Sequence, residues 1–321
     1  MKSSHSESPG LSLVIPVYRN EESIGELLEV LSGFHARYGD RFEAILVVDG
    51  SPDDCWSLLR SGLRQRAIPS QVLLLSRNFG SFAAIRAGLG VARFEISAVM
   101  SADLQEPPEL IHDLYLALAT RKAELAVGVR SNREDGLLRN ALSTLYWRLY
   151  RRWVMPSVPR GGVDVFACGA EVRVVLLALS EPNSSLIAQL FWVGFRRVEI
   201  PYERVKRAHG RSAWTLKRRF RYMLDSVFGF SDLPIMVLLW IGFIGVVASF
   251  IGGIVVLASW WSGGITVPGY TPVILGVLFI GSLLLMGQGI VGAYVWRTAE
   301  NTKQRPLSIV ASHEIIEQGS G

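Results

Sequence analysis

Three short polar segments carry the side chains best suited to chemistry. The first, VMSADLQEPPE at positions 99–109, sets Asp103 and then Gln105 directly after an apolar run. Asp and Gln offer hard oxygen donors of the kind taken by Mg2+ or Mn2+, ions that keep several waters and bind substrate phosphates. Alone, an Asp in this place is equally a helix cap or a turn residue. The second segment, VVDGSPD at 47–53, places Asp49 after another apolar run; Pro52 and Asp53 equally suit a first helical turn capped by Ser51. The third, SRNFG at 76–80, closes a further run. Other chemistry is missing. There is no Walker A motif, and GLGVAR at 88–93 lies inside a helical pattern rather than after a strand. The five His have no ligand spacing, and Cys55 and Cys168 lie far apart with no CxxC, which implies a reduced compartment and no cysteine-built metal site.

The elements that must position these residues alternate. Strand-length apolar runs at 11–17, 44–48, 72–75, 96–100 and 125–129 are separated by helix-period segments at 22–38, 53–65, 82–93 and 108–121. That alternation predicts right-handed βαβ units and a mostly parallel α/β sheet. The loops after Val17, Val48 and Met100 then share the carboxyl edge of the sheet, where a nucleotide crevice is expected.

The rest of the chain has another character. It holds 321 residues, 50% hydrophobic and 19% charged, with a net charge of +5, and its mean hydropathy is +0.30. From position 233 to 296 there is no Asp, Glu, Lys, Arg or His. This excludes a purely soluble enzyme, a disordered chain and a disulfide-stapled secreted domain. Segments 235–261 and 272–296 are each long enough to cross a bilayer, which takes about 20 helical residues. Lys217, Arg218, Arg219 and Arg221 precede the pair, Arg297, Lys303 and Arg305 follow it, and the connector is uncharged. The positive-inside rule places both ends in the cytoplasm. The basic, aromatic segments 139–155 and 214–230 are read as interfacial helices in the headgroup layer, with an amphipathic helix packed on the sheet as the alternative. Residues 1–10 are polar, lack the apolar core of a signal peptide and are expected to be a disordered lead.

With Pro16-Val-Tyr18, VDGSPD, LSRNFG and ADLQEPPE on the page, together with GVRSNR at 128–133 and RAHGRSAW at 207–214, the sequence resembles the family-2 glycosyltransferases of the GT-A fold. More narrowly it resembles the polyprenyl-phosphate glycosyltransferases: bactoprenol glucosyltransferases, undecaprenyl-phosphate aminoarabinose-type transferases and dolichyl-phosphate mannose synthases. The resemblance implies a Rossmann-like GT-A domain over 11–200, a basic loop and interfacial helix over 201–232, a transmembrane hairpin over 233–297 and a cytoplasmic tail over 298–321. It implies an inverting transfer of one sugar from a nucleotide sugar, UDP by default, to polyprenyl (undecaprenyl) phosphate at the cytoplasmic membrane face, for O-antigen, cell-wall or lipid A glycosylation. By the same resemblance, Pro16, Tyr18, Asp49, Ser101 and Asp103 hold the nucleotide. Asp103 and Gln105 bind Mg2+ or Mn2+, and Arg130 and Arg133 act with them in catalysis. Arg130, Arg133, Arg207 and Arg211 receive the acceptor phosphate. Four positions depart from the family pattern: Ser101 and Val48 replace acids, Asn20 stands where Glu is common, and Ala213 replaces a Lys. Leu149 stands where the QxxRW motif of processive synthases has Gln, which argues against polymerisation. The basic runs adjoin membrane segments, so anionic lipid suits them and nucleic acid does not. Gly242, Gly245, Gly252 and Gly253 would let the helices pack in a homo-oligomer. Transfer to a lipid-linked oligosaccharide or other membrane acceptor, and a catalytically silent scaffold, are the alternatives.

Overall fold

The computed structural model describes residues 8–131, 152, 159, 163–181, 184–205, 227, 231, 233–262 and 270–317. Within them, β1 (Leu11–Val17), β2 (Phe42–Val48), β3 (Ser70–Leu75), β4 (Ile96–Val99), β5 (Leu125–Arg130), β6 (Val163–Gly169), β7 (Arg197–Tyr202) and β8 (Val310–Ile316) join one sheet. Its order is β7-β5-β6-β4-β1-β2-β3-β8. β1 pairs in parallel with β2 and β4, β2 with β3, and β5 with β7, whereas β6 runs against β4 and β5 and β8 against β3. Six strands therefore share one direction, and the sheet is mixed. The five sequence-read strands all form; β6, β7 and β8 are the ones the periodicity does not announce.

Helices cover both faces, which is why β1 and β2 read as unbroken apolar runs. Leu11, Leu13, Ile15 and Val17 of β1 point to one core; Val14 points to the other. The first core is closed by α1 (Ile24–Tyr38), α2 (Cys55–Gln65) and α4 (Pro108–Ala119). The second is closed by α3 (Ser81–Val91), α5 (Ala170–Ala178) and α6 (Leu186–Trp192). α1 shows the logic: Ile24, Leu27, Leu28, Leu31 and Phe34 recur at helical spacing and are all buried. Each such side chain is worth roughly 1.5–3 kcal/mol of burial. α3 lies tight on the sheet because Gly88 has no Cβ; one added there would sit 2.4 Å from Val14 Cγ1. Cys55 and Cys168 are buried free thiols, each pushed up to about 12 by burial.

A second polar layer lies at the opposite end of the strands from the loops singled out above. Glu43 is fully buried. Its Oε1 accepts from Ser12 Oγ at 2.6 Å and Arg93 N at 2.7 Å; its Oε2 accepts from Arg93 Nε at 2.8 Å and Gln71 Nε2 at 2.9 Å. His313 of β8 meets Gln71 Oε1 at 2.9 Å. Burial works to raise the Glu43 carboxyl's pKa, but these hydrogen bonds outweigh it and hold the group below its ordinary 4.5.

Two long helices, α7 (Leu233–Trp261) and α8 (Tyr270–Thr302), form where the two apolar spans are read. They are antiparallel. Leu238 packs 3.4 Å from where a Gly287 Cβ would stand, and Tyr294 Oη donates to Ser231 O at 3.2 Å. Among the described residues one stretch, Phe279–Thr302, is long and apolar enough to cross a membrane, while Pro234–Gly245 is a shorter apolar helix. After α8 the chain re-enters the sheet rather than trailing away as a tail: Ser76 N donates to Ile309 O at 2.9 Å, and Glu314 of β8 takes both Arg60 and Arg64 of α2. The run to α7 leaves the end of β7, and the run from α8 enters the start of β8. Both lie at the carboxyl edge of the six co-directional strands.

Candidate active site

The strand order switches direction between β1 and β4, because β2 and β3 are laid to one side of β1 and β4 to the other. Open α/β sheets place their ligand crevice at such a switch point, outside the carboxyl edge. The loops on its two sides are joined by Ser23, whose hydroxyl reaches Ala102 O at 3.1 Å. Pro16 and Tyr18 are both half-buried there, at the end of β1 and just beyond it. Asn20 accepts from Tyr18 N at 3.1 Å and closes the turn. Arg19 has a φ of +56° and lies over the Tyr18 ring, 5.4 Å from its centroid. Its amide donates to Ser51 Oγ at 2.8 Å, and Ser51 donates to Asp53 at 2.5 Å. Ser51 is therefore a bridge between the β1 and β2 loops, and α2 begins later, at Cys55. Burial works to raise the Asp53 pKa, yet its hydrogen bonds from Ser51 and Cys55 keep it below its ordinary 3.8.

Asp49 is 2% exposed. Its carboxylate accepts from Phe79 N at 2.7 Å and Gly80 N at 2.8 Å, and its carbonyl accepts from Asn78 Nδ2 at 3.3 Å. Asp49 thus shapes the RNFG loop. Gly50 completes the joint with a φ of +57°; a Cβ there would stand 2.3 Å from Arg77 C and 2.6 Å from Asn78 N. Backbone cannot yield as a side chain tip can. Gly50→Ala should therefore displace the RNFG loop and lower stability by about 2–4 kcal/mol through left-handed strain and overpacking. Thermal melting checks this.

On the other side of the crevice, Leu104 holds a φ of +52° between Asp103 and Gln105 while its side chain packs on the core. A leucine in that region is strained, and such strain gathers at functional loops. Asp103 and Gln105 are both half-buried. Gln105 Oε1 accepts from the Arg204 guanidinium, Gln105 Nε2 reaches Val205 O at 3.4 Å, and Val205 N donates to Gln105 O at 3.0 Å. Gln105 therefore fastens the β4 loop to the start of the basic segment after β7. Arg130 ends β5 on the same edge, and the next residue, Ser131, bonds Tyr202 O through both its amide (2.9 Å) and its hydroxyl (3.2 Å). Ser101 turns its hydroxyl and amide to one oxygen of Glu106, which is 1% exposed.

Among the described residues no three His, Cys, Asp or Glu gather as a protein-built metal cage. A divalent cation would take the Asp103 carboxylate and the second lone pair of Gln105 Oε1, filling its shell from phosphate and water; that donor set fits Mg2+ or Mn2+. Of the residues the sequence singles out, Pro16, Tyr18, Asp49, Ser101, Asp103, Gln105 and Arg130 stand on this edge. Arg133, Arg207, Arg211 and Ala213 lie outside the described residues, as do most of segments 139–155 and 214–230. Sequence reading passed over Arg204 and Glu106. Arg204 was one charge in a basic run, and Glu106 read only as the lead into the Pro107-Pro108 helix start.

The chain matches relatives along nearly its whole length. It is 27% identical over 308 residues to the bactoprenol glucosyl transferase of Shigella phage SfV, covering 95% of this chain and 99% of that one. It is 29% identical over 320 residues to the uncharacterized glycosyltransferase sll0501 of Synechocystis sp., covering 94% of each. A mannosyltransferase of Pyrobaculum calidifontis, solved with GDP-Man and Mn2+, aligns at a TM-score of 0.47 and 15% identity over 93% of this chain and 88% of that one. The model of glycosyl transferase family 2 matches residues 12–171, a span that begins in β1, ends at the start of α5 and includes Pro16, Asp49, Asp103 and Arg130. With its mixed α/β sheet and polar loops gathered on the carboxyl edge, the chain carries a glycosyl transferase family 2 domain over residues 12–171.

Proposed function

We propose that the protein is an inverting, metal-dependent glycosyltransferase that moves one sugar from a nucleotide sugar to polyprenyl phosphate at the cytoplasmic face of the membrane. The observation that carries this reading is topological. Both connections between the catalytic domain and the α7–α8 pair meet the sheet at the carboxyl edge, where Asp103, Gln105, Arg130 and Arg204 stand. The likeness to bactoprenol glucosyl transferases over nearly the full chain supports the same acceptor. The helix pair supports a membrane hairpin, since Trp240, Phe243, Ile244, Leu284 and Leu285 point outward, an arrangement unfavourable in water. The flanking Lys and Arg then put both termini on the cytoplasmic side.

The chemistry follows from the acceptor. An oxygen of the lipid phosphate is already anionic at neutral pH. It forms the new bond to the anomeric carbon as the bond to the nucleoside diphosphate breaks on the opposite face, and the diphosphate leaves with the electron pair. No strong base is required. The protein's tasks are to bring two anions together and to stabilise the leaving group. Pro16 and Tyr18 line the base and ribose side, with Asp49 holding the RNFG loop against it. Asp103 and Gln105 hold a divalent cation, which when bound neutralises charge on the departing diphosphate. Arg130, with Arg133, Arg207 and Arg211, presents guanidinium forks to phosphate oxygens. Membranes carrying the chain, supplied with undecaprenyl phosphate and a labelled nucleotide sugar, should make a lipid from which mild acid releases a monosaccharide. Release of an oligosaccharide would replace this acceptor with a lipid-linked glycan.

A further inference from the structure

The loop that would hold the cation contains a carboxylate the reading above does not use. Glu106 is 1% exposed, beneath the half-buried Ser101. Ser101 Oγ donates to Glu106 Oε2, and Ser101 N donates to the same oxygen at 3.3 Å. A hydroxyl whose proton is committed to a carboxylate keeps both lone pairs for another partner, and its oxygen gains basicity. Ser and Thr hydroxyls ligate Mg2+ at other nucleotide sites. Ser101 also lies two residues before Asp103, on the same short loop, with Leu104 N turned back toward Ser101 O at 3.5 Å.

We propose that Ser101 and Glu106 together supply a further oxygen donor to the cation site: Ser101 Oγ ligates the ion, and Glu106 is the positioning residue behind it. The proposal rests on the cation reading of Asp103. The negative charge is set one layer deeper, on Glu106, and relayed through the Ser101 hydroxyl. An aspartate at 101 would stand against the buried Glu106 carboxylate, and two like charges at that separation disfavour each other.

The test is Mn2+ binding to the purified full chain in detergent, with UDP and with GDP, followed by the spin-resonance signal of free Mn2+. Ser101→Ala, which removes a ligand, and Glu106→Gln, which removes the partner that orients it, should each weaken binding on the order of tenfold. The double variant should be little worse than either, because one unit is lost once. Ser101→Thr, which keeps the hydroxyl, should bind as wild type does. Ser101→Asp should bind more weakly than wild type and recover when combined with Glu106→Gln. Binding by Ser101→Ala within about twofold of wild type overturns the proposal, as does tighter binding by Ser101→Asp alone. Failure of wild type to bind Mn2+ with either nucleotide, or unchanged binding by Asp103→Ala, overturns the cation reading itself.

Discussion

Asp103→Ala should reduce sugar transfer at least about 10³-fold while leaving expression, membrane insertion and melting temperature close to wild type. The size follows from what the carboxylate is asked to do. Loss of one preorganised electrostatic partner of a leaving group costs about 10²–10³ in rate, and on the proposed reading loss of the Asp103 carboxylate would remove the cation's contribution with it. A 10³-fold loss corresponds to about 4 kcal/mol of transition-state stabilisation. Stability should barely move, because Asp103 is half-buried on a loop whose anchor is Leu104 in the core. Gln105→Ala should cost less chemistry and more order. Its side chain also holds Arg204 and Val205, so its loss frees the segment leading into the basic run. Paired kcat and melting measurements separate the two, and an Asp103→Ala enzyme that turns over at wild-type rate contradicts the assignment.

The largest effect on stability is expected far from the chemistry. Glu43→Ala removes the acceptor of four hydrogen bonds from Ser12, Gln71 and Arg93, and leaves the buried Ser12 and Gln71 donors behind in the interior while Arg93 turns to solvent. Breaking a buried charged network costs roughly 3–5 kcal/mol, so the catalytic domain should melt on the order of 10 °C lower. The pH dependence has a definite sign. Glu43 titrates below its ordinary 4.5 in the folded protein, so the unfolded chain binds the proton more readily. Its stabilisation is complete above about pH 4.5 and fades as acid carries the pH down through the folded value. The stability gap between wild type and Glu43→Gln should therefore close below pH 4.5. A gap that stays constant through that range would show that the charge contributes nothing.

Much of this site was legible because parallel βαβ units leave strong local marks. The runs that become β1 to β5 are apolar on both faces, and the polar loops after β1, β2 and β4 do share the carboxyl edge of the sheet, where strand order switches. What stayed hidden depended on contacts between distant residues. β7 alternates exposed and half-buried positions, and β8 lies beyond a long apolar helix, so neither stands out as a buried run. Glu43 sits inside an apolar stretch, and nothing local reveals that its partners arrive from β1, β3 and the turn after α3. Asp49 was visible as an acid after a strand, but its hold on the Phe79 and Gly80 amides is a tertiary fact. Ser101 illustrates the opposite risk. Set against the family pattern it resembles, it is a lost acid, while in space it is the lid on a buried one.

The central claim is metal-dependent transfer of one sugar to a lipid phosphate. Its most direct test supplies membranes carrying the chain with undecaprenyl phosphate and a panel of labelled nucleotide sugars, with Mg2+ or Mn2+ and with EDTA. One donor should label a lipid that mild acid cleaves to a monosaccharide, and EDTA should abolish the labelling. No labelled lipid from any donor, in membranes where a control transferase works, would contradict the account and leave the protein as a membrane scaffold; labelling that survives EDTA would remove the cation from it.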